Sequence, residues 1–175
     1  MLSFMRRVIL AVAIILLVAP ALASHVLEPD HRRVLDAWLK QHSTMRLATD
    51  KDCGCEEDIQ RLRTQSGGVW KPVPDYHPYV AVGDFNGDKK TDFAVVLVDT
   101  AKTTKAFTLV IFNGPFGAEA KSPAFLKPNL DLTEHGLFFG PPRPKPYRLV
   151  LGPFESEGSV FEPQNATYKL VYYEH

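Results

Sequence analysis

An α+β fold, with N-terminal helices packed on a mainly antiparallel β-sheet, is predicted from three observations. Two segments with helical spacing of apolar residues precede Gly67-Gly68. After that point come only short apolar or alternating runs, each bounded by Gly, Pro or Asn. Between Tyr79 and Val98, two such runs flank a nine-residue polar loop, Asp84 to Asp92, so that the stretch reads as a hairpin.

The first helix is expected over Glu28 to His42. Pro29 suits a first helical position, Asp30 places negative charge in the first turn, and Val34, Leu35, Trp38 and Leu39 make one apolar stripe. His31 and His42, at the margin of that stripe, read as packing or surface residues. A second helix is expected from Glu56 to Arg63. Asp52 is its candidate cap, Glu56, Glu57 and Asp58 favour the positive end, and Arg61 and Arg63 favour the other. Ile59 and Leu62, with Cys55 a turn earlier, face inward, and Ser66-Gly67-Gly68 stops the helix.

Pro72, Pro74 and Pro78 exclude a continuous central strand over 69–79. There Trp70, Tyr76, His77 and Tyr79 either offer stacking faces to a partner or pack over the open end of the core. Strands follow near 79–84 and 92–99. Val95 and Leu97 point one way and Ala94, Val96 and Val98 the other, which predicts a central strand apolar on both faces. A third strand over Lys105 to Phe112 completes a three-stranded meander. Ser122-Pro123 reads as a cap opening a short helical turn through Leu126. Leu137 to Gly140 is a short strand, Pro141 to Pro146 an extended connector, and Tyr147–Leu151, Ser159–Glu162 and Thr167–Tyr173 three closing strands. Pro163 to Ala166 supplies a hairpin turn, and Asn165-Ala166-Thr167 is a glycosylation sequon. One sheet of five to seven strands is expected.

Residues 1–23 have the three-part layout of a secretory signal peptide: Arg6 and Arg7, an apolar run from Val8 to Val18, and a small-residue site at Ala21-Leu22-Ala23. Removing them leaves 24–175 as a single domain that buries about two-thirds of the surface of its unfolded chain. Its charge is near minus two, too balanced for nucleic acid or an anionic membrane. No later segment is long and apolar enough to span a bilayer. A secreted or periplasmic location is expected. In such an oxidising compartment Cys53 and Cys55, separated by Gly54, are expected to form a local disulfide. Reduced thiols, a soft-metal site and a redox role are the alternatives.

The loop carries the chemistry. Asp84, Asn86, Asp88 and Asp92 stand at loop positions one, three, five and nine, with the Lys90 carbonyl at position seven, a spacing that turns several oxygens towards one centre. Hard cations, calcium above all, take six to eight such ligands. Val95 stands where an EF-hand needs its bidentate glutamate, and both flanks are strands, so an EF-hand is excluded. Over 79–98 the chain resembles the calcium hairpin of FG-GAP or VCBS-type repeats, the blade hairpins of integrin α-chain propellers, with Lys89 where that pattern has glycine. The resemblance implies a structural calcium ion between two strands. One copy cannot make a propeller, which needs about four blades or more.

The expectation for function is a non-enzymatic binding module with one structural calcium ion and a protein or carbohydrate partner. A secreted metal-dependent hydrolase using His77, His135 and carboxylates such as Glu155 or Glu157 is the alternative. The chain holds no G-x-S-x-G or H-E-x-x-H spacing, and three converging groups of complementary role would be required.

Overall fold

The computed structural model describes residues 27–65, 71–117, 121–140, 145–154, 156 and 158–172. The expected signal segment 1–23, Trp70, residues 141–144, Glu155, Glu157 and Tyr173 lie outside them. Helix α1 spans Pro29–Leu39, with proline in its first turn and His31, Val34, Leu35 and Trp38 buried. It ends earlier than the periodicity predicts, and the His42 ring stacks on Trp38 with centroids 3.5 Å apart while Nδ1 meets the Trp38 carbonyl at 2.9 Å. Strand β1, Met45–Leu47, and a 3-10 turn, Asp50–Asp52, lead to α2, Glu56–Thr64. The strands that follow are β2 Val80–Gly83, β3 Asp92–Asp99, β4 Phe107–Phe112, β5 Phe125–Leu130, β6 His135–Phe138, β7 Val150–Pro153, β8 Ser159–Gln164 and β9 Thr167–Tyr172.

These strands form two antiparallel sheets, neither closed, where the sequence predicts one. In the first, β3 is central: β1 pairs with its C-terminal end and β2 with its N-terminal end along one side, β4 takes the other side, and β5 lies outside β4. The second sheet is a meander, β6-β7-β8-β9. The physical reason lies in β3 and β4, whose residues are buried almost without exception on both faces. One face carries Phe93, Val95, Leu97, Val110 and Phe112, which pack under Val34, Leu35 and Trp38 of α1. The other carries Ala94, Val96, Leu109 and Ile111, which pack with Leu137, Leu149, Leu151, Phe161 and Tyr168 of the second-sheet region and with Ile59 of α2. A single helix cannot cover both faces, so the C-terminal strands fold back as the second cover. The opposed orientation of Val95 and Leu97 against Ala94 and Val96 is as predicted.

The helical turn predicted at Ser122 to Leu126 is replaced by β5. Phe125 there packs edge-on against Phe161 at 5.4 Å, and Ala124 N–H donates to the Ile111 carbonyl at 2.8 Å. Pro128 hid the strand. The register passes from Lys127 opposite Leu109 to Leu130 opposite Phe107, so Pro128 falls in a bulge of an outer strand, where its missing N–H costs no ladder bond. On the same flank, Thr167 Oγ1 donates to the Ala124 carbonyl at 2.7 Å and ties β9 to the entry of β5. Asn165, at φ 55°, opens the two-residue turn between β8 and β9.

Among the described residues no helix is long and apolar enough to cross a membrane. Charged groups instead pin the segment between α1 and α2. Arg46 of β1 grips Asp52 with Nη1 at 2.8 Å and Nη2 at 2.6 Å, and Thr49 donates its backbone N–H to the same carboxylate at 2.7 Å. The Arg46 bond, helped by Thr49 and opposed by partial burial, holds the Asp52 carboxyl down from 3.8 to about 2. A depressed carboxyl stabilises the fold above its unfolded value, and that contribution is lost as pH falls through the folded value. Acid titrations of Arg46→Met should therefore place Asp52 close to its ordinary value by carbonyl NMR, and the variant should lose less stability than wild type between pH 3.8 and about 2.

Candidate functional site

The hairpin loop begins where Gly83 pairs with Asp92. Within it, oxygens accept from the loop's own backbone. Asp84 takes the Gly87 N–H at 2.7 Å on Oδ1 and the Lys89 N–H at 2.9 Å on Oδ2. Asn86 Oδ1 takes the Asp88 N–H at 2.9 Å, and Asp88 Oδ1 takes the Lys90 N–H at 2.8 Å. This is a chain of Asx turns, and it satisfies amides that a tight loop would otherwise expose. Gly87 sits at φ 80° and Lys89 at φ 67°. Lysine holds the left-handed conformation at a cost of about 1 kcal/mol, offset in part by the bond to Asp84.

Asp92 differs from the other three. It is fully buried. Its Oδ2 accepts the Phe85 N–H at 2.9 Å and its Oδ1 the Gly114 N–H at 2.8 Å, the latter from the loop after β4. The Tyr168 hydroxyl of β9 donates to Asn113 Oδ1 at 2.7 Å and lies 3.4 Å from Asp92 Oδ2. Burial pushes the Asp92 carboxyl up, its amide partners resist, and the nearby Asp88 charge adds to the rise. Burial and the Asp92 charge also push the Tyr168 hydroxyl well above the usual tyrosine value.

A calcium cage needs converging oxygens. Asp88 is exposed and Asp84 and Asn86 are half-buried, whereas Asp92 is fully buried and faces the Phe85 amide with one oxygen and the Gly114 amide with the other. Among the described residues, no three His, Cys, Asp or Glu side chains are grouped to hold a metal ion. Of the expected ligand set, Asp84, Asn86, Asp88 and Lys90 thus stand in the loop and Asp92 at the first residue of β3.

Of the two readings of the aromatic segment, Tyr76 and Tyr79 follow the one in which the rings pack over the core. Tyr79 is buried, with its hydroxyl donating to the Leu132 carbonyl at 2.7 Å, because β2 starts directly after it and carries it into the inter-sheet core. Tyr76 stacks on Phe138 at 5.5 Å and meets Phe154 edge-on. Its hydroxyl is buried without a hydrogen-bond partner, and Gly136 leaves the space it occupies. The rings pack over the end of the core.

His77 is about one-third exposed, with Nδ1 3.6 Å from Asp50, whose other oxygen receives Arg63 Nη2 at 2.7 Å. Arg63 also donates to the Tyr76 carbonyl, so this cluster ties the 71–79 segment to α2. His135 Nδ1 meets the Thr133 carbonyl at 2.6 Å. The two histidines of the hydrolase alternative therefore serve different local networks. Cys53 and Cys55 are buried with their Sγ atoms in close contact, Cα atoms 5.1 Å apart, and Gly54 between them at φ 67°.

Sequence reasoning missed Tyr168 and Gly114 as neighbours of Asp92, and Asn113 as the acceptor for Tyr168. Asn113-Gly114 carried a signal only as the end of a strand. No protein-family model, curated protein or solved structure matches the chain.

Because each Asp92 oxygen faces an N–H donor, Asp92→Asn must set its own NH2 against one of them. A buried amide then loses its acceptor, and urea unfolding should show a loss of about 1–3 kcal/mol. Tyr168→Phe, which leaves both amide bonds intact, should cost less, about 1 kcal/mol.

Proposed function

We propose that the chain is an exported, non-enzymatic interaction module in which the Asp84–Asp92 hairpin is a structural element that responds to calcium. The observation that carries this reading is the division of the loop. One acid, Asp92, anchors it to both sheets, and the oxygens of Asp84, Asn86 and Asp88 accept from the loop's own amides. On this reading Asp84, Asn86, Asp88 and the Lys90 carbonyl are the cation's donors, water completes the shell, and Asp92 acts as the strut beneath. The ion would neutralise the repulsion between Asp84 and Asp88. The resemblance to FG-GAP or VCBS hairpins belongs to the same proposal and is supported by the two strands, β2 and β3, that flank the loop.

Export through residues 1–23, a secreted or periplasmic location and a Cys53–Cys55 disulfide are parts of one proposal, since an oxidising compartment favours bridging two sulfurs already in contact. The partner would be an extracytoplasmic protein or carbohydrate. The hydrolase alternative draws less support, because His77 and His135 are held by Asp50 and by a backbone carbonyl rather than by each other or by the loop.

Four protein donors plus water give weak binding, at about the 10⁻⁴ to 10⁻³ M end of calcium modules. Calcium at about ten times such a dissociation constant stabilises by roughly 1.4 kcal/mol, or about 3–6 °C in Tm for a chain of this size. Thermal unfolding in chelator, calcium and magnesium should show that rise for wild type with calcium, a smaller one with magnesium, and none for Asp88→Ala. Equal stability of wild type in chelator and 10 mM calcium (about ten times the weak-end constant), with no heat of binding, would remove calcium from the proposal.

A further inference from the structure

His31 is a buried ionisable group that nothing above employs. It lies in the first turn of α1, is 4 % exposed, and sits between Phe93 of β3 at 5.0 Å and Phe116 of the loop after β4 at 4.9 Å, the second ring edge-on. Its Nδ1 is buried with no hydrogen-bond partner among the described residues. A neutral imidazole tolerates this place, because an unprotonated Nδ1 forgoes one acceptor bond and the ring otherwise behaves as an aromatic spacer. An imidazolium does not, since it adds a charge and a second buried donor with nothing to receive it.

We propose that His31 is an acid-sensitive latch: uncharged, it holds the N-terminal end of α1 against the first sheet, and its protonation releases that end. The charged groups around it do not reverse the effect. Glu28 and Asp30, on the same helix, favour the cation, but both are exposed, and Asp30 is already paired with Arg33 at 2.9 Å. The hairpin loop contributes Lys90 to the same groove of about 590 Å³, and the loop after β4 is covered by Lys121, whose Nζ lies 5.1 Å from the Phe116 ring centroid. Both lysines oppose a positive charge. Asp92, beside Phe93 in β3, faces the opposite side of the sheet, towards Tyr168. Burial accordingly holds the His31 pKa below 6.5, against the smaller opposing pull of Glu28 and Asp30.

The sign follows from linkage. With the folded value lowered, the unfolded chain takes up the proton first, so stability is full above pH 6.5 and falls as pH drops towards the folded value. The unfolding equilibrium constant should rise by up to about tenfold per pH unit in that window. The release should centre on α1, whose other anchors, Val34, Leu35 and Trp38, lie further along the helix.

The experiment compares wild type with His31→Phe, which keeps an aromatic ring of similar size, by urea unfolding at half-unit steps from pH 7.5 to 5. The imidazole of His31 in folded wild type is titrated by NMR in the same range. Wild type should weaken on acidification, His31→Phe should lose most of that slope, and His31 should titrate below 6.5. Rate-corrected hydrogen exchange should place the acid-induced opening in α1. The proposal is overturned if His31→Phe keeps the wild-type slope, if His31 titrates at or above the ordinary value, or if opening centres elsewhere. Should His31→Phe fail to fold, the wild-type titration and exchange data decide alone.

Discussion

The buried carboxylate of Asp92 is the constraint on which the two-sheet arrangement depends. It sits at the first residue of β3 and receives the Phe85 amide from the hairpin loop and the Gly114 amide from the turn after β4. Through Tyr168 and Asn113 it also reaches β9. Three chain segments distant in sequence thus meet at one charge. Charge-assisted hydrogen bonds contribute about 1.5–3 kcal/mol each when made, and a buried polar group left without one costs a similar amount. An isolated buried carboxylate would be strongly unfavourable, and it is the amides that make the position tenable. The dependence is mutual, since those amides lie in tight loops and have no other acceptor within the fold's ladders.

Around that point the packing follows from β3 and β4 having no polar face. A sheet buried on both sides needs two covers, and a chain of this length has one long amphipathic helix to offer. Helix α1 takes the side of Phe93, Val95 and Leu97, and the β6–β9 meander takes the side of Ala94, Val96 and Leu109. The small side chain of Ala94 at the inter-sheet face lets Phe85, Phe161 and Tyr168 fill the gap. Helix α2 is left to close one end of that layer through Ile59 and the two cysteines, and the Arg63–Asp50–His77 cluster fastens it there.

Both helices, the hairpin and its loop, and the closing strands were legible because each rests on a local pattern: period and cap for α1 and α2, alternation for β3, an Asn-containing turn before β9. What escaped was non-local. Met45–Leu47 is too short to show a period and becomes a strand only because β3 offers an edge beside Leu97 and Asp99. Phe125–Leu130 reads as a break at Pro128 until a bulge accommodates it. The second sheet could not be separated from the first, since strand order is set by which apolar face meets which. At the loop, spacing identified the oxygen-bearing residues but could not tell that Asp92 turns inward, because its burial depends on Tyr168, 76 residues away.

Two buried ionisable groups of opposite sign therefore stand on opposite faces of β3, and their responses to acid differ. His31 is held neutral between Phe93 and Phe116, so taking up a proton works against the fold below pH 6.5. Asp92 is buried and its carboxyl is raised, so the folded protein takes up that proton before the unfolded chain does, and this exchange favours the fold as pH falls towards 3.8. The benefit is limited, because a protonated Asp92 can no longer accept from both Phe85 and Gly114 with equal strength. Acid thus works against the α1 face, where no described residue receives the new charge, while at the inter-sheet face the Phe85 and Gly114 amides compete with the proton for the carboxylate. That difference arises from where the chain buries His31 and Asp92 rather than from its net charge.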